Sequence, residues 1–372
     1  MTQDEMTDCL VSWCAIPSHA GATAGQAQMV NELSHSFGRL ADGVRREPVG
    51  PGSIDVFRAW SPTRAGQTVL LVGHYDTVPH DGGADEPSVV IDGDRLIARG
   101  SADMKGGLVV MLEALGLVER QSRRAPAWEV MIVPDEEIGS PWSRDLLLEA
   151  AGRCGVALVL EPAPPSGGLV RGRKGAGTLE VEIIGRAAHA GRNPQEGRSA
   201  IAALAEMIVA IEATEDPALG TQVNVTTVEG GSAPNVVPGA ACAQVDVRAD
   251  HPNEATRVIA ELEARTREIA FRRGVDVSLT GGMNRPPKPV DAATEALFGL
   301  YRDGAAKRGV DIGWEDVGGA SDANLIAPAG IPILDGLGVR GGDLHGHGEY
   351  AVIDSLPERA GLLADLLMTL AE

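Results

Sequence analysis

The sequence predicts an α/β fold, in which a mostly parallel sheet flanked by helices carries an inserted α+β domain. Short apolar segments at 69–72, 128–133 and 156–160 are typical of buried strands, and they alternate with segments of helical periodicity. The Pro- and Gly-rich segment 162–168 precedes a change to strands in which apolar and polar residues alternate. The Pro-rich segment 285–289 ends the alternating strands. After it, helical segments and a short apolar strand occur again, as in the first part of the chain.

The first part of the chain supports the parallel sheet. Apolar residues at helical spacing predict helices at 4–16 and 26–40, and strands are expected at 56–60 and 69–72. The second strand is wholly apolar, as expected for a central strand that is covered on both faces. A Gly-rich bend at 99–107 comes next. The elements predicted after it are helices at 108–119 and 144–151 and buried strands at 128–133 and 156–160. Ligands of such sheets bind at the carboxyl ends of the strands.

The inserted domain is predicted at residues 174–283, so the first domain is discontinuous and comprises 1–173 and 284–372. The pattern of the insert predicts a small antiparallel sheet with two helices on one face. Its expected strands are 178–184, 222–228, 241–249 and 275–280, and its expected helices are 199–213 and 253–272. Helices at 292–308 and 356–370 and a strand at 331–334 complete the first domain.

Composition and charge exclude several classes of partner. Of the 372 residues, 44% are hydrophobic and 3% are aromatic, so the core is expected to be aliphatic. The formal charge of -20 would repel phosphate backbones and anionic membrane surfaces, so neither nucleic acid nor a membrane is expected as a partner. No apolar run approaches the length of a membrane span, and the first residues lack the pattern of a secretory signal. Four scattered cysteines are typical of reduced thiols, and we expect a cytoplasmic location.

Candidate metal ligands follow the predicted strands. His74 and Asp76 lie just beyond strand 69–72, and alternate residues of an extended chain point the same way. This pair fits a metal-bound imidazole whose other nitrogen donates to Asp76, but a turn-forming Asp beside an incidental His has the same sequence. Asp103 lies among small residues of the Gly-rich bend. A carboxylate there can bridge two metal ions, or can simply bond its own backbone.

Three further segments carry acidic or imidazole side chains. The acidic triplet 135–137 follows a buried strand, and its members would repel one another unless a cation lies between them. A solvated acidic turn is the alternative. Glu161 ends strand 156–160, where a lone charge is normally just exposed. Near the end of the chain, His345 and His347 are two candidate imidazoles, or solvated side chains of a flexible loop.

Together these residues predict a di-zinc hydrolase. Two histidines and three carboxylates, all in loops of one α/β domain, match the ligands that a paired zinc centre needs. The charges also balance. Two Zn²⁺ ions carry four positive charges, which Asp103, Glu137, Glu161 and a bridging hydroxide would cancel, so that a partly buried site is tolerable.

The chain resembles the di-zinc aminoacylase and carboxypeptidase family, which contains glutamate carboxypeptidase, acetylornithine deacetylase, succinyl-diaminopimelate desuccinylase and peptidase T. The resemblance covers nearly the whole chain. Its motifs, in the order that the family has them, are GHYDTVP at 73–79, RGSADMKGG at 99–107, DEEIGS at 135–140, LEP at 160–162, AHAG at 188–191, NVVP at 235–238 and DVR at 246–248. Residues 134–140 and 171–177 are closer to the glutamate carboxypeptidase branch than to the deacetylases.

The resemblance implies a role for each candidate ligand. It implies that His74 and Glu161 hold one zinc ion, that Glu137 and His345 hold the other, and that Asp103 bridges both. Glu136 is then the general base, and Asp76 supports His74. His345 is preferred over His347 because the family usually has a glutamate four residues after its last ligand, and Glu349 fits that spacing. The peptide bond after the bridging aspartate is typically cis in this family.

The resemblance also assigns residues of the insert, which it describes as a lid or dimerisation domain. His189, Asn235 and Arg248 are expected to reach the substrate, with His189 polarising the scissile carbonyl and Arg248 binding a free α-carboxylate. Arg248 could equally pair with a neighbouring aspartate on its own strand. Gly319 belongs to a segment, 318–322, that resembles the substrate-side Gly-rich loop of the family, with Ala320 in place of its third glycine.

We therefore expect hydrolysis of an amide bond next to an amino acid with a free carboxylate, most closely as in a glutamate carboxypeptidase. An N-acyl-amino-acid deacylase is the alternative reaction. A non-catalytic binding protein on the same scaffold is the alternative class, although it would have no need of Glu136. The expected cofactor is two zinc ions per subunit, for which cobalt or manganese can substitute. A homodimer formed through the insert is the expected assembly.

Overall fold

The computed structural model describes residues 1–52, 54–61, 67–79, 88–121 and 126–371. The α-helices in these ranges are α1 (Gln3–Cys14), α2 (Thr23–Phe37), α3 (Gly106–Gln121), α4 (Arg144–Ala151), α5 (Ala200–Glu212), α6 (Pro252–Arg273), α7 (Ala292–Lys307), α8 (Asp322–Ile326) and α9 (Ser355–Thr369). The strands are β1 (Gly43–Val49), β2 (Ile54–Trp60), β3 (Val69–His74), β4 (Val90–Asp92), β5 (Arg95–Ile97), β6 (Trp128–Val133), β7 (Val156–Val159), β8 (Leu169–Arg173), β9 (Gly175–Ile184), β10 (Ala188–His189), β11 (Gln222–Gly230), β12 (Val236–Val237), β13 (Ala240–Ala249), β14 (Asp276–Arg285), β15 (Trp314–Val317), β16 (Ile333–Leu334), β17 (Gly341–Gly342) and β18 (Tyr350–Val352).

The chain divides into two compact units. The first comprises residues 1–172, 290–317 and 321–372, and the second comprises residues 173–289 and 318–320. The predicted insert began at 174 and ended at 283. The second unit of the structure also includes the Pro-rich segment that follows β14 and the three residues 318–320.

The first unit is built on a six-stranded sheet in the order β1-β2-β6-β3-β7-β16. Strands β6, β3, β7 and β16 are parallel, whereas β1 and β2 form an antiparallel edge. This order places β3 between β6 and β7, so the segments that follow these three strands meet at one edge of the sheet. The α/β class and the mostly parallel sheet agree with the prediction.

Strand β3 is wholly buried because the sheet is covered on both faces. Val69 and Leu71 pack into one apolar cluster with residues of α1, α2, α3, α7 and α9. Leu70 and Val72 point to the opposite face and pack with residues of α4 and α8. Two layers of helices therefore hold the end of this strand, and the side chain that follows it, in a fixed position.

The second unit is a four-stranded antiparallel sheet in the order β11-β13-β9-β14, with α5 and α6 on one face. The alternation in β9 explains this arrangement. Val181 and Ile183 are buried beneath the helices, whereas Glu180, Glu182 and Ile184 are exposed on the other face. This is the α+β arrangement that the alternating pattern predicted.

Sequence patterns missed the short and polar elements. Strand β1 was not predicted because four of its seven residues are exposed and three are charged, and it is held at the sheet edge by its pairing with β2. Helix α8 has five residues, too few to show a helical repeat. Among the described residues, no helix is both long and apolar enough to cross a membrane.

Candidate metal centre

His74 is the last residue of β3, and its side chain is 1% exposed. Its Nδ1 atom lies 3.0 Å from the backbone oxygen of Asp76 and 3.3 Å from the Asp76 carboxylate. The Nε2 atom lies 3.1 Å from Oδ1 of Asp103 and 4.0 Å from Oε1 of Glu161. One ring nitrogen is thus held by Asp76, which leaves the other pointing at two carboxylates.

Asp103 lies in a turn whose shape is held by Glu349. The buried carboxylate of Glu349 accepts hydrogen bonds from the backbone NH groups of Gly100, Ala102 and Asp103, each at 3.0 Å. Burial raises the pKa of Glu349 to about 7, although these three hydrogen bonds favour its charged form. The peptide bond between Asp103 and Met104 is cis, as the family resemblance led us to expect.

Glu136 and Glu137 lie on one turn of 3-10 helix, Glu136–Ile138, directly after β6. The backbone NH of Glu136 donates to one oxygen of the Asp76 carboxylate at 3.2 Å, and that of Glu137 donates to the other at 3.0 Å. Gly139 ends the turn with a φ of +91°, which suits a glycine. Asp76 therefore contacts both the imidazole of His74 and the turn that carries the two glutamates.

His345 approaches the same place from the C-terminal part of the chain. Its Nε2 atom lies 3.1 Å from Oε2 of Glu137 and 3.4 Å from Oδ2 of Asp103. His345 has a φ of +64°, in a turn where Asp343 accepts a hydrogen bond from the backbone NH of Gly348 at 3.0 Å. His347 is exposed. The structure thus brings His345 to the carboxylates.

This arrangement fits a pair of metal ions. Ligand atoms of His74, Asp103 and Glu137 all lie within 4.8 Å of one another. The two oxygens of Asp103 face different imidazoles, Oδ1 towards His74 and Oδ2 towards His345. Glu161 adds a carboxylate on the His74 side, and Glu137 adds one on the His345 side. Imidazole and carboxylate donors suit zinc, cobalt and manganese.

The electrostatics of the cluster favour cations. Burial alone would lower the pKa of His74, but its hydrogen bonds to Asp103 and Asp76 outweigh burial and hold that pKa well above its usual range. Hydrogen bonds to Asp103 and Glu137 raise the pKa of His345 to about 10. The pKa of Asp103 is lowered despite burial, because both imidazoles donate to it. Metal ions that bind to these imidazoles displace their protons.

Asp76→Asn is expected to weaken metal binding about 10- to 100-fold, the usual effect of removing a carboxylate that supports a metal-bound histidine. The amide can accept through its single oxygen only, so the contacts with His74 and with the two backbone NH groups cannot all persist. Competition with a fluorescent zinc chelator measures the affinity. Asp303→Asn, which changes an exposed aspartate of α7, is the control, and equal affinities of the two variants would contradict the supporting role of Asp76.

The predicted substrate residues lie in the second unit. The His189 and Asn235 segments are neighbours, because His189 pairs with Val236 and the NH of Ala190 donates to the backbone oxygen of Asn235 at 2.9 Å. Both His189 and Asn235 are exposed. Gly319 is also exposed, and its backbone oxygen accepts from Nη1 of Arg173 at 3.1 Å.

Arg248 donates to both oxygens of Asp246, from Nε and Nη2 at 2.9 Å each. This is the pairing that the sequence left open as an alternative to substrate binding. The two side chains are 36% and 33% exposed, and an ion pair so exposed contributes little to stability. The bidentate pair does orient the guanidinium, whose Nη1 is not used in it.

Sequence reasoning missed two features of the centre. Glu349 was used only to choose between histidines, yet it holds the turn of Asp103 through three hydrogen bonds from residues about 246 to 249 positions away. Ser140 was quoted only as the end of a motif, yet its hydroxyl donates to Asp322. Neither contact has a local signal, because each joins segments that are distant in the chain.

The chain is similar to known proteins in both structure and sequence. The structure is similar to aminopeptidase PepT from Bacillus cereus, with a TM-score of 0.81, 21% identity and 100% coverage of both chains. The sequence is 30% identical to carboxypeptidase G2 from Pseudomonas sp. over 318 residues, 82% of this chain and 75% of the relative. It is 27% identical to succinyl-diaminopimelate desuccinylase from Gluconobacter oxydans over 86% of this chain and 85% of the relative.

The fold and the site define a metallohydrolase. The model of peptidase family M20/M25/M40 matches residues 70–369, and the chain belongs to that family. The resemblance stated from the sequence motifs and the prediction of an enzyme are both confirmed.

Proposed function

We propose that this protein hydrolyses an amide bond next to an amino acid with a free carboxylate, as a metallopeptidase of the glutamate carboxypeptidase type with two zinc ions. One observation carries the proposal. The two oxygens of Asp103 face two imidazoles, each of which has a further carboxylate beside it. This symmetry supports two ions that share Asp103.

The ligands divide between the two ions. We assign His74 and Glu161 to one zinc ion, Glu137 and His345 to the other, and Asp103 to both. Bound zinc supplies a Lewis acid that lowers the pKa of a water molecule and polarises the scissile carbonyl. Since three carboxylates balance most of the charge of two divalent ions, the partly buried position is tolerable.

Glu136 is assigned as the general base. It adjoins the ligand Glu137 on a turn whose backbone NH groups are held by Asp76. Its carboxylate takes a proton from the attacking water and then delivers it to the leaving amine, so that the two fragments leave as a carboxylate and an amine. Asp76 keeps the imidazole of His74 and this turn in their relative positions.

We assign substrate recognition to the second unit. Arg248 binds the free α-carboxylate of the substrate through donors that Asp246 does not use, and His189 polarises the scissile carbonyl. Asn235 and Gly319 contribute polar contacts.

We further propose a cytoplasmic homodimer formed through this unit. Two features of this unit support the dimer. The edge strand β11 is mostly exposed, and the apolar side chains of Ile184 and Val209 are 66% and 70% exposed. A monomeric mass in analytical ultracentrifugation would refute the dimer.

A panel of blocked amino acids tests the reaction. The zinc-loaded enzyme is offered folyl-, peptidyl-, acetyl- and succinyl-amino acids, each as the free acid and as the α-amide, and release of the amino acid is measured. We expect cleavage of the folyl or peptidyl free acids and little cleavage of the amides. Arg248→Ala should lower kcat/KM for the free acids about 10- to 100-fold, because it removes a hydrogen bond between two charged groups. It should leave kcat/KM for the α-amides unchanged. No release from any substrate by protein with bound zinc would refute the proposal.

An N-acyl-amino-acid deacylase is the second candidate. The 27% identity to a succinyl-diaminopimelate desuccinylase over 86% of the chain favours it. Its chemistry at the metal centre is the same, so the panel distinguishes it by release from the acetyl or succinyl acids alone. Reloading the metal-free protein with zinc, cobalt or manganese in turn, and comparing the rates on the preferred substrate, identifies the ions that support the reaction.

A further inference from the structure

Ser140 has an unusual backbone conformation. Its φ is +52°, a left-handed conformation that is unfavourable for any residue with a Cβ atom. In this conformation its hydroxyl donates to Oδ1 of Asp322 at 2.5 Å. Both residues are buried, with 0% and 1% exposure. A conformation of this kind persists only where the surrounding contacts impose it, and such positions are common at functional sites.

Ser140 closes the turn that carries Glu136 and Glu137. Its backbone NH donates to the backbone oxygen of Asp135 at 2.7 Å, and the NH of Gly139 donates to that of Glu136 at 2.8 Å. Asp76 holds the NH groups at the start of the turn. The start of the turn is thus tied to the β3 edge. Its end is held in part by Ser140 and in part by the Asp135 carboxylate, which accepts hydrogen bonds from Trp142 and Ser143.

Asp322 is a fixed point for that hydroxyl. It is the first residue of α8, whose N-terminus is capped by Ser321. The Ser321 hydroxyl accepts from the NH of Ala323 at 3.1 Å, and Oδ1 of Asn324 accepts from the NH of Ser321 at 2.9 Å. A buried hydrogen bond from a hydroxyl to a carboxylate is short and strong, so it transmits the position of α8 to the turn.

We infer that Ser140 and Asp322 are a positioning pair for Glu136. The pair lies 182 residues apart in the sequence, and it holds the far end of the turn while Asp76 holds the near end. Neither side chain needs to touch the substrate or the reacting atoms. The inference rests on the proposed role of Glu136, and it predicts that loss of the Ser140 hydroxyl lowers kcat without loss of metal.

Ser140→Gly is the decisive variant. Glycine adopts a φ of +52° without steric cost, so the substitution removes the hydroxyl without adding backbone strain. In the zinc-loaded protein we expect the amides of Glu136 and Glu137 to exchange with solvent about tenfold faster or more. We also expect kcat to fall about 10- to 100-fold, with KM within twofold and metal content unchanged. Asp322→Asn, whose amide oxygen can still accept the hydroxyl, should fall between Ser140→Gly and wild type.

Ser166→Ala is the matched control, since it removes another hydrogen bond from a hydroxyl to a carboxylate, 2.6 Å long, between Ser166 and Glu315. It should change neither exchange nor kcat. Unchanged exchange and kcat in Ser140→Gly would overturn the positioning pair, and so would loss of the fold or of bound metal in both Ser140→Gly and Asp322→Asn. If the wild type cleaves no substrate, the proposed function fails. The exchange rates then still decide whether the pair orders the turn.

Discussion

Glu136→Gln is expected to lower kcat by about 10²- to 10⁴-fold, the usual contribution of a general base. Glutamine keeps the shape of the side chain and the backbone NH that donates to Asp76 at 3.2 Å, but it cannot accept the proton of the attacking water. The assigned ligands His74, Asp103 and Glu137 are untouched. Metal content, measured by atomic emission, should therefore equal that of the wild type, and KM should change little.

The comparison needs one control and has one clear refutation. Glu149→Gln removes an exposed carboxylate of α4 that pairs with Arg153, and it should keep the wild-type rate. Glu136→Ala should be as slow as Glu136→Gln, because both lack the base. If Glu136→Gln turns over as fast as the wild type with two metal ions bound, Glu136 is not the base, and another group must take the proton.

His345→Asn is expected to remove most of the affinity for one of two metal ions and to lower kcat more than about 100-fold. Loss of an outer partner of a metal ligand already costs 10- to 100-fold in affinity or activity, and His345 is assigned as a ligand itself. Asparagine tolerates the left-handed φ of +64°, so the backbone of the turn is kept. Titration of the metal-free protein with zinc, followed by calorimetry, should show one strong site in place of two.

His347→Asn is the matched control because it lies on the same loop and is exposed. It should keep both metal sites and the wild-type rate. The opposite result, with two sites in His345→Asn and one in His347→Asn, would show that the wrong imidazole was assigned. The distances favour His345, whose Nε2 lies 3.1 Å from Glu137 and 3.4 Å from Asp103.

Much of the fold was predictable from local pattern. Strand β6 and helix α4 were predicted with the same bounds that the structure has, 128–133 and 144–151. Both combine a clear periodicity with distinct ends, and these are properties of neighbouring residues. Strand β16 was predicted as 331–334 but spans only Ile333–Leu334, since just these two residues pair with β7. Strand pairing is a long-range property, which a local pattern does not contain.

The candidate ligands were also predictable as residue types in particular loops. His74 is the last residue of one wholly buried strand and Glu161 follows another, and such positions lie at the carboxyl edge of a parallel sheet. The choice between a ligand and an incidental side chain could not be made from these loops one at a time. It depended on motifs found together, and for His345 on its spacing from Glu349.

The sequence by itself determined the α/β class, the alternating pattern of the insert and the identity of the metal-ligand candidates, because periodicity and strand-end residues are local. Only the tertiary structure decided which side chains meet. The order β6-β3-β7 brings Glu137, His74 and Glu161 to one edge of the sheet. The hydrogen bond from Ser140 to Asp322 joins residues 182 apart, a separation at which the meeting of two side chains depends on the packing of the whole unit.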